Sequence, residues 1–241
     1  MTVSSEENIQ LKKIGQDHIL YDAMLIEHPD ETLFCPEPKA ATGKAVAIGR
    51  SEPIFYQYQG HDLVLKQYLR GGMVAKLLAD RYFGINHEHT RSFKEFRLLH
   101  QLQRLGLAAP VPVAASAKQS GLFFRAALIT LEIPHAQTLA DQLMSSALDD
   151  SAWQQVGRCI RQFHDHDVYH ADLNARNILF SDNKVYLIDF DKGAFRYLGD
   201  SWKASNLARL KRSLMKFKSL NQTFYFDEAN WKRLLQGYSE G

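Results

Sequence analysis

The 241-residue sequence contains only two cysteines and no long apolar run. Cys35 and Cys159 are too few for a disulfide framework, and they fit a reducing compartment. No apolar stretch approaches the ~20 residues that span a bilayer. The N-terminal segment "MTVSSEENIQLKKIGQDHIL" lacks the apolar core of a signal peptide. We therefore expect neither a signal peptide nor a transmembrane segment, and a protein that is cytosolic or peripheral on a cytosolic membrane face.

Glycine-rich phosphate-binding motifs are also missing. The chain contains no G-x-G-x-x-G sequence. The segment "ATGKA" is not a Walker A motif, because Pro38 occupies the position of its first glycine and Ala45 that of its Ser or Thr. The remaining candidates for a phosphate contact lie in the turn "IGRSEPIF", at Gly49, Arg50 and Ser51.

The composition is that of a folded globular protein, with 45% hydrophobic and 23% charged residues. This length suffices for one large domain or two small lobes with a real core. The net charge of +2 says little about partners, but the basic residues are unevenly spread. Between Lys192 and Phe226, eight lysines and arginines accompany one acid, Asp200. Nothing in the sequence indicates a nucleic-acid partner or an obligate protein partner.

The predicted secondary structure changes along the chain near Pro134. Short apolar and alternating runs predict strands before it, at 45–49, 53–58, 62–68, 108–116 and 123–133, and two more after it, at 177–180 and 185–190. Apolar residues at helical spacing predict helices at 151–168, 202–217 and 227–238. One helix precedes the change: "SFKEFRLLHQLQRLG", with Ser92 as its N-cap and Gly106 as its stop.

The stretch "YHADLNARNILF" contains the candidate catalytic residues. His170, Asp172 and Asn177 fit H-x-D-L-x-x-x-N, the catalytic-loop pattern of kinases. In that chemistry the aspartate accepts the proton of an attacking hydroxyl and the asparagine reaches a magnesium ion, while His170 is expected to brace the loop. The apolar strand "LIDF" then delivers Asp189, whose carboxylate is positioned to hold Mg²⁺ against ATP phosphates. Two ordinary acidic turns beside core strands are the alternative, but both motifs in this order indicate a site for ATP and Mg²⁺.

A lysine and a glutamate upstream form a second candidate pair. Lys66 lies in the apolar strand "LVLKQY", and Glu95 falls on the leucine-bearing face of its helix, so its carboxylate points toward the core. A buried carboxylate needs a cation, and Lys66 is the best candidate. Ser92 and Glu95 also match a capping box, but capping leaves Lys66 unexplained.

The change near Pro134 predicts an α+β chain with a strand-rich first half and a helical second half. The catalytic-loop pattern resembles that of kinases, and this resemblance implies a bilobal, protein-kinase-like fold. The N-lobe, 43–133, is expected to hold an antiparallel sheet with one helix. The C-lobe, 134–241, is smaller, mostly helical, and contains the catalytic loop, and 1–42 form an N-terminal extension packed on the N-lobe. The backbone of Glu132 and Ile133 is expected to face the adenine of ATP.

The chain resembles the lipopolysaccharide kinases of the protein-kinase-like superfamily. The resemblance runs from about Gly43 to the C-terminus, through "LVLKQYLRGGMVAKL", "TRSFKEFRLL", "HADLNARNILF", "LIDFDKG" and "NLARLKRSL". It implies ATP-dependent phosphorylation of a hydroxyl of 3-deoxy-D-manno-octulosonic acid (Kdo) on a lipid A precursor, at the cytoplasmic face of a Gram-negative inner membrane.

The chain departs from protein kinases in two ways. Asp189-Phe190-Asp191 replaces D-F-G, so Asp191 is a further candidate for the metal site. No A-P-E motif is present and only 52 residues follow Asp189, which argues against a protein substrate.

The helix containing "NLARLKRSLMKF" suggests a membrane-facing surface. Leu207, Leu210, Leu214 and Phe217 form an apolar stripe on one side. On the other side the expected contacts with anionic headgroups are Arg209, Arg212 and Lys216, and the same surface is extended by Arg70, Lys76 and Arg81. A merely solvated helix face is the alternative.

Two other functions remain open. One is a different kinase of this fold, acting on another small molecule, a heptose, an aminoglycoside or a protein. The basic C-terminal half argues against a cationic aminoglycoside. The other is a catalytically dead binding module, against which the complete set of candidate catalytic residues argues.

Overall fold

The computed structural model describes residues 8–36, 53–68, 87–120 and 123–241. The chain divides into two compact units. The first comprises Met1–Arg104 and Val111–Glu132, and the second comprises Leu105–Pro110 and Ile133–Gly241. Both contain helices and strands, so the predicted α+β class is confirmed.

The first unit is built on a six-stranded antiparallel sheet with the strand order β1-β2-β5-β6-β4-β3. The strands are β1 (Ile9–Ile14), β2 (Asp17–Asp22), β3 (Ile54–Tyr58), β4 (His61–Tyr68), β5 (Pro112–Ser120) and β6 (Phe123–Leu131). The strands predicted at 53–58, 62–68 and 123–133 are confirmed, and the one predicted at 108–116 begins four residues later. The strand predicted at 45–49 lies outside the described residues.

Strand β4 positions Lys66. Gln59 and Gly60 have φ values of 45° and 79°, which is the left-handed backbone that a tight two-residue hairpin turn requires between β3 and β4. Successive residues of a strand point to opposite faces of the sheet. Leu63 and Leu65 are therefore fully buried in the core on one face, while Lys66 projects from the other.

Strands β1 and β2 form a hairpin at one edge of the sheet, where the sequence pattern predicts no strand. Strand β2 pairs with β5, and its Ile19 and Tyr21 join Leu63, Leu65 and Ile129 in one apolar core. This segment therefore contributes two of the six strands.

Helix α1 (Arg91–Arg104) packs on strands of this sheet. Its apolar residues recur at helical spacing, and Phe93, Phe96, Leu99 and Leu102 are buried. Gly106 follows with a φ of 70°, which glycine tolerates without steric strain and which ends the helix as predicted. The other boundary prediction is wrong, because Ser92 lies inside the helix.

The second unit is mainly helical. Its helices are α2 (Leu139–Ser145), α3 (Asp150–Asp165), α4 (Ser201–Leu220) and α5 (Glu228–Glu240). Its strands are β7 (Gln137–Thr138), β8 (Val168–Tyr169), β9 (Ile178–Ser181), β10 (Lys184–Leu187) and β11 (Ala194–Phe195). Strands β10, β9 and β7 form one small sheet, and β11 pairs with β8. Within the described ranges, no helix is long and apolar enough to cross a membrane.

Helices α3 and α5 approach each other through two glycines. A methyl group on Gly157 would overlap the Leu234 carbonyl, and one on Gly237 would overlap the Gln154 carbonyl. The helix predicted at 151–168 is confirmed as α3, and two of its apolar residues, Trp153 and Phe163, are almost completely buried.

Candidate active site

The loop between β8 and β9 is held by His170. The Asp172 backbone N–H donates to His170 Nδ1 at 3.2 Å, so Nδ1 is an acceptor. The proton must then lie on Nε2, which donates to the Ile188 carbonyl at 2.9 Å. This buried ring therefore ties the catalytic loop to the residue that precedes Asp189.

Asn177 closes the same loop from its other end. Its Nδ2 donates to the Asp172 carbonyl at 2.9 Å, and its own carbonyl accepts from the Ile188 N–H at 3.0 Å. Both backbone groups of Ile188 are therefore bonded to the loop. The next residue, Asp189, has a φ of 62°, an uncommon backbone conformation that is found at functional sites.

The chemistry of Asn177 and Asp189 fits a magnesium ion. Because the Asn177 Nδ2 is used inside the loop, its Oδ1 is the atom that could bind a metal ion, and Asp189 offers a carboxylate. Mg²⁺ prefers oxygen ligands and takes few of them from the protein when phosphates supply the rest. The described residues contain no group of three or more His, Cys, Asp or Glu that could hold a metal. Asp191, half-buried two residues further on, stays a candidate.

The Asp172 carboxylate itself is accessible. Its side chain is 62% exposed. Asn174 Nδ2 donates to its Oδ2 at 3.1 Å, and Arg209 Nη1 lies 3.7 Å from its Oδ1. The backbone of Asp172 is thus fixed on both sides while its carboxylate faces outward.

Helix α4 supplies three residues that contact this loop, and the sequence does not predict these contacts. Asn206 exchanges two hydrogen bonds with the His170 backbone, at 3.0 and 3.3 Å, and is buried. Ser213 Oγ accepts from the Ala175 N–H at 3.2 Å, and Arg209 lies beside Asp172. The sequence did contain one sign of the Asn206 contact. Asn206 falls among the buried residues of α4, and a buried polar side chain requires a hydrogen-bond partner.

One of the basic residues predicted to face anionic headgroups, Arg209, also approaches the loop. Its Nη1 lies 3.7 Å from Asp172 Oδ1 and its side chain is 44% exposed, so it stays a candidate for the predicted surface. Arg212 and Lys216 are exposed on α4, as expected for a surface role.

His164, on α3, is buried and uncharged at neutral pH. Burial lowers its pKa to about 4, against a hydrogen bond to Asn206 that acts in the opposite direction. Its Nδ1 pairs with the Tyr238 hydroxyl at 2.8 Å, and its ring packs against Trp202. Asn206 thus links His164 to the backbone of His170.

We expect acid to weaken the fold through His164. The unfolded chain takes up a proton as the pH falls through about 6.5, whereas the folded chain does so only near 4. The unfolded state therefore binds more protons in this window, and the free energy of unfolding falls by about 3 kcal/mol from this group. Denaturant titrations between pH 7 and 4 measure this. The free energy of unfolding should fall less steeply with falling pH in His164→Gln than in the wild type, and His166→Gln, at an exposed site, is the control. Equal slopes in His164→Gln and the wild type would contradict this.

In the first unit the structure joins Lys66 and Glu95. The Lys66 Nζ lies 2.9 Å from Glu95 Oε2 and 3.1 Å from Oε1. The Tyr68 hydroxyl also donates to Oε2, a contact the sequence analysis did not identify. The Glu95 side chain is 3% exposed and that of Lys66 is 31% exposed. Ser92 Oγ instead donates to the Ser116 carbonyl at 2.8 Å, so the capping-box alternative is wrong for Ser92.

The adenine contact predicted for the backbone of Glu132 and Ile133 stays a prediction. The Glu132 N–H donates to the Asp62 carbonyl at 2.8 Å, so this group is paired within the first unit. The remaining residues predicted to contact phosphate or to extend the basic surface lie outside the described residues. They are Gly49, Arg50, Ser51, Arg70, Lys76 and Arg81.

Comparisons with known proteins identify related chains. The model of the lipopolysaccharide kinase (Kdo/WaaP) family matches residues 40–238. The 3-deoxy-D-manno-octulosonic acid kinase of Vibrio cholerae is 41% identical over 212 residues, which cover 86% of this chain and 89% of that protein. The protein of the same name from Actinobacillus succinogenes is 39% identical over 238 residues, covering 94% and 98%.

One solved structure, WaaP in complex with acyl carrier protein, matches with a TM-score of 0.54 and 16% identity. It covers 78% of this chain and 74% of that chain. At this identity the likeness concerns the fold alone, and it confirms the predicted kinase-like fold.

Proposed function

The chain belongs to the lipopolysaccharide kinase (Kdo/WaaP) family, and we infer that it transfers the γ-phosphate of ATP to a hydroxyl of Kdo in lipopolysaccharide core biosynthesis. The observation that carries this conclusion is the catalytic loop. Its backbone is fixed by His170 and Asn177, and it presents an accessible carboxylate on Asp172.

The proposed reaction uses this carboxylate as the base. The acceptor hydroxyl donates a hydrogen bond to Asp172 and gives up its proton as its oxygen bonds to the γ-phosphorus. The bond from that phosphorus to the β,γ-bridging oxygen breaks, and ADP leaves with the electron pair. In parallel we assign Lys66, held by Glu95, to orient the α- and β-phosphates.

We assign Asn177 and Asp189 to hold magnesium. When bound, the ion supplies positive charge that neutralises the phosphates. The hydrogen bond from Asn177 to the Asp172 carbonyl keeps the ligating amide and the base in one fixed loop.

An acceptor panel tests the function. With radiolabelled ATP, we expect phosphate transfer to a Kdo-bearing lipid A precursor, and none to a heptosyl lipid, a peptide or an aminoglycoside. Preferred transfer to one of the other three would favour the corresponding kinase instead. ATP binding without transfer to any acceptor would favour a binding module.

We propose further that the acceptor is reached on an anionic, cytoplasmic membrane face through a basic surface formed by Arg212 and Lys216. Both side chains are exposed on α4, and Met215 between them is 51% exposed. Neither has an acidic partner in the part of the chain that the structure describes. A basic residue near an anionic bilayer contributes about 1 kcal/mol.

Removing both charges should weaken vesicle binding. Because two residues together contribute about 2 kcal/mol, Arg212→Gln/Lys216→Gln should lower the affinity for anionic vesicles about 30-fold at low salt. Vesicle sedimentation measures this. Lys184→Gln/Lys232→Gln, at exposed sites on other elements, removes the same charge and is the control. If both double variants bind vesicles as the wild type does, Arg212 and Lys216 are only a solvated face.

A further inference from the structure

Arg209 lies beside Asp172, but the proposed proton transfer from the acceptor hydroxyl to Asp172 gives it no role. Its Nη1 lies 3.7 Å from Asp172 Oδ1, beyond the 2.7–2.9 Å of a charge-assisted hydrogen bond. Its side chain is 44% exposed. Among the described residues this is the one polar contact of the guanidinium, and it leaves most of its five N–H donors available to another anion.

The position of Arg209 is set by its helix. Asn206 lies three residues before it and Ser213 four residues after it, so all three share one face of α4. Asn206 binds the His170 backbone and Ser213 binds the Ala175 N–H. The face of α4 that carries Arg209 is therefore tied to the catalytic loop on both sides of this residue, which places Arg209 beside Asp172.

The acceptor brings a negative charge to this place. Kdo is an octulosonic acid, and a carboxyl group of this kind is ionised at neutral pH. This carboxylate is on the same sugar as the hydroxyl that approaches Asp172. Binding of the acceptor therefore brings two negative charges, the Kdo carboxylate and the Asp172 carboxylate, close together. A guanidinium beside Asp172 offsets their repulsion, and its planar fork matches the two oxygens of a carboxylate.

We propose that Arg209 binds the carboxylate of the acceptor sugar and thereby selects an acid sugar and positions its hydroxyl at Asp172. This inference rests on the proposed Kdo kinase function. It makes Arg209 a specificity-determining residue for the acceptor, with no part in binding ATP.

The test compares two enzymes with matched acceptors. Wild type and Arg209→Gln are assayed in detergent with the Kdo-bearing lipid A precursor, with its Kdo carboxyl methyl ester, and with the same precursor stripped of its lipid A phosphates. Losing a hydrogen-bonded charge pair should lower kcat/KM about 10–100-fold. We expect that loss for the wild type on the ester and for Arg209→Gln on the acid, mainly through the KM for acceptor. For Arg209→Gln, kcat/KM with the ester should equal kcat/KM with the acid, because the ion pair between the guanidinium and the Kdo carboxylate is already absent.

Other variants sharpen the result. Arg209→Lys keeps the charge without the fork and should recover part of the preference for the acid. Lys232→Gln, at an exposed site on α5, should keep the full preference.

Three outcomes would overturn the inference. Equal acid-to-ester ratios in wild type and Arg209→Gln would mean that Arg209 only positions Asp172. A raised KM for ATP would identify the anion as an ATP phosphate. A loss that disappears only with the dephosphorylated acceptor would identify it as a lipid phosphate. Failure of the wild type to phosphorylate any Kdo acceptor would instead contradict the proposed function, so the two failures are distinguishable.

Discussion

Asp172→Asn is expected to lower turnover by about 10²–10⁴-fold, the usual effect of removing a positioned general base. The asparagine side chain has nearly the same shape but cannot accept the proton of the acceptor hydroxyl. The backbone N–H and carbonyl of residue 172 still bond to His170 and Asn177, so the loop should keep its conformation. We therefore expect an intact fold and unchanged ATP affinity.

Single-turnover kinetics with the Kdo acceptor, together with ATP titration and thermal unfolding, measure these effects. Asp182→Asn is the matched control, because Asp182 is exposed in the turn between β9 and β10 of the same unit. It should turn over normally. Near-normal turnover in Asp172→Asn would remove Asp172 from the chemistry.

The second large effect concerns Lys66 and Glu95. Removing a cation that clamps phosphates typically lowers the rate by about 10²-fold or more, and we expect this for Lys66→Ala. Glu95→Ala should give a loss of similar size, because the ammonium then loses the carboxylate that holds it at 2.9 Å. In Lys66→Ala the Glu95 carboxylate stays buried with the Tyr68 hydroxyl, so the unfolding free energy should fall as well.

The double variant decides whether the two residues act together. Either single change already removes the ion pair, so the combined loss in kcat/KM should be well below the product of the single losses. The surface pair Lys118–Asp17, 3.2 Å apart in the same sheet, is the control. Its loss should change stability by less than about 1 kcal/mol and leave activity intact. Multiplicative losses at Lys66 and Glu95 would show that the residues act independently.

Local sequence patterns determined the elements that carry the chemistry. Helical spacing predicted α1 and α3, because apolar residues three and four apart share one buried face. The apolar strand pattern of "LVLKQY" placed Lys66 on β4. On a helical wheel, Glu95 falls on the buried side of α1, which was enough to predict its need for a cation. The spacing of His170, Asp172 and Asn177 placed all three in one loop.

Only the tertiary structure decided which side chains from distant segments meet. Asn206, Arg209 and Ser213 contact residues 36 to 38 positions earlier in the chain, and a helical pattern fixes the face of a helix but not its neighbour. The same limit explains the missed edge hairpin β1–β2, the pairing of the Glu132 N–H with Asp62, and the contact between Tyr68 and Glu95. Periodicity records whether a residue is buried, whereas its hydrogen-bond partner depends on how elements pack, and that packing is a property of the whole chain.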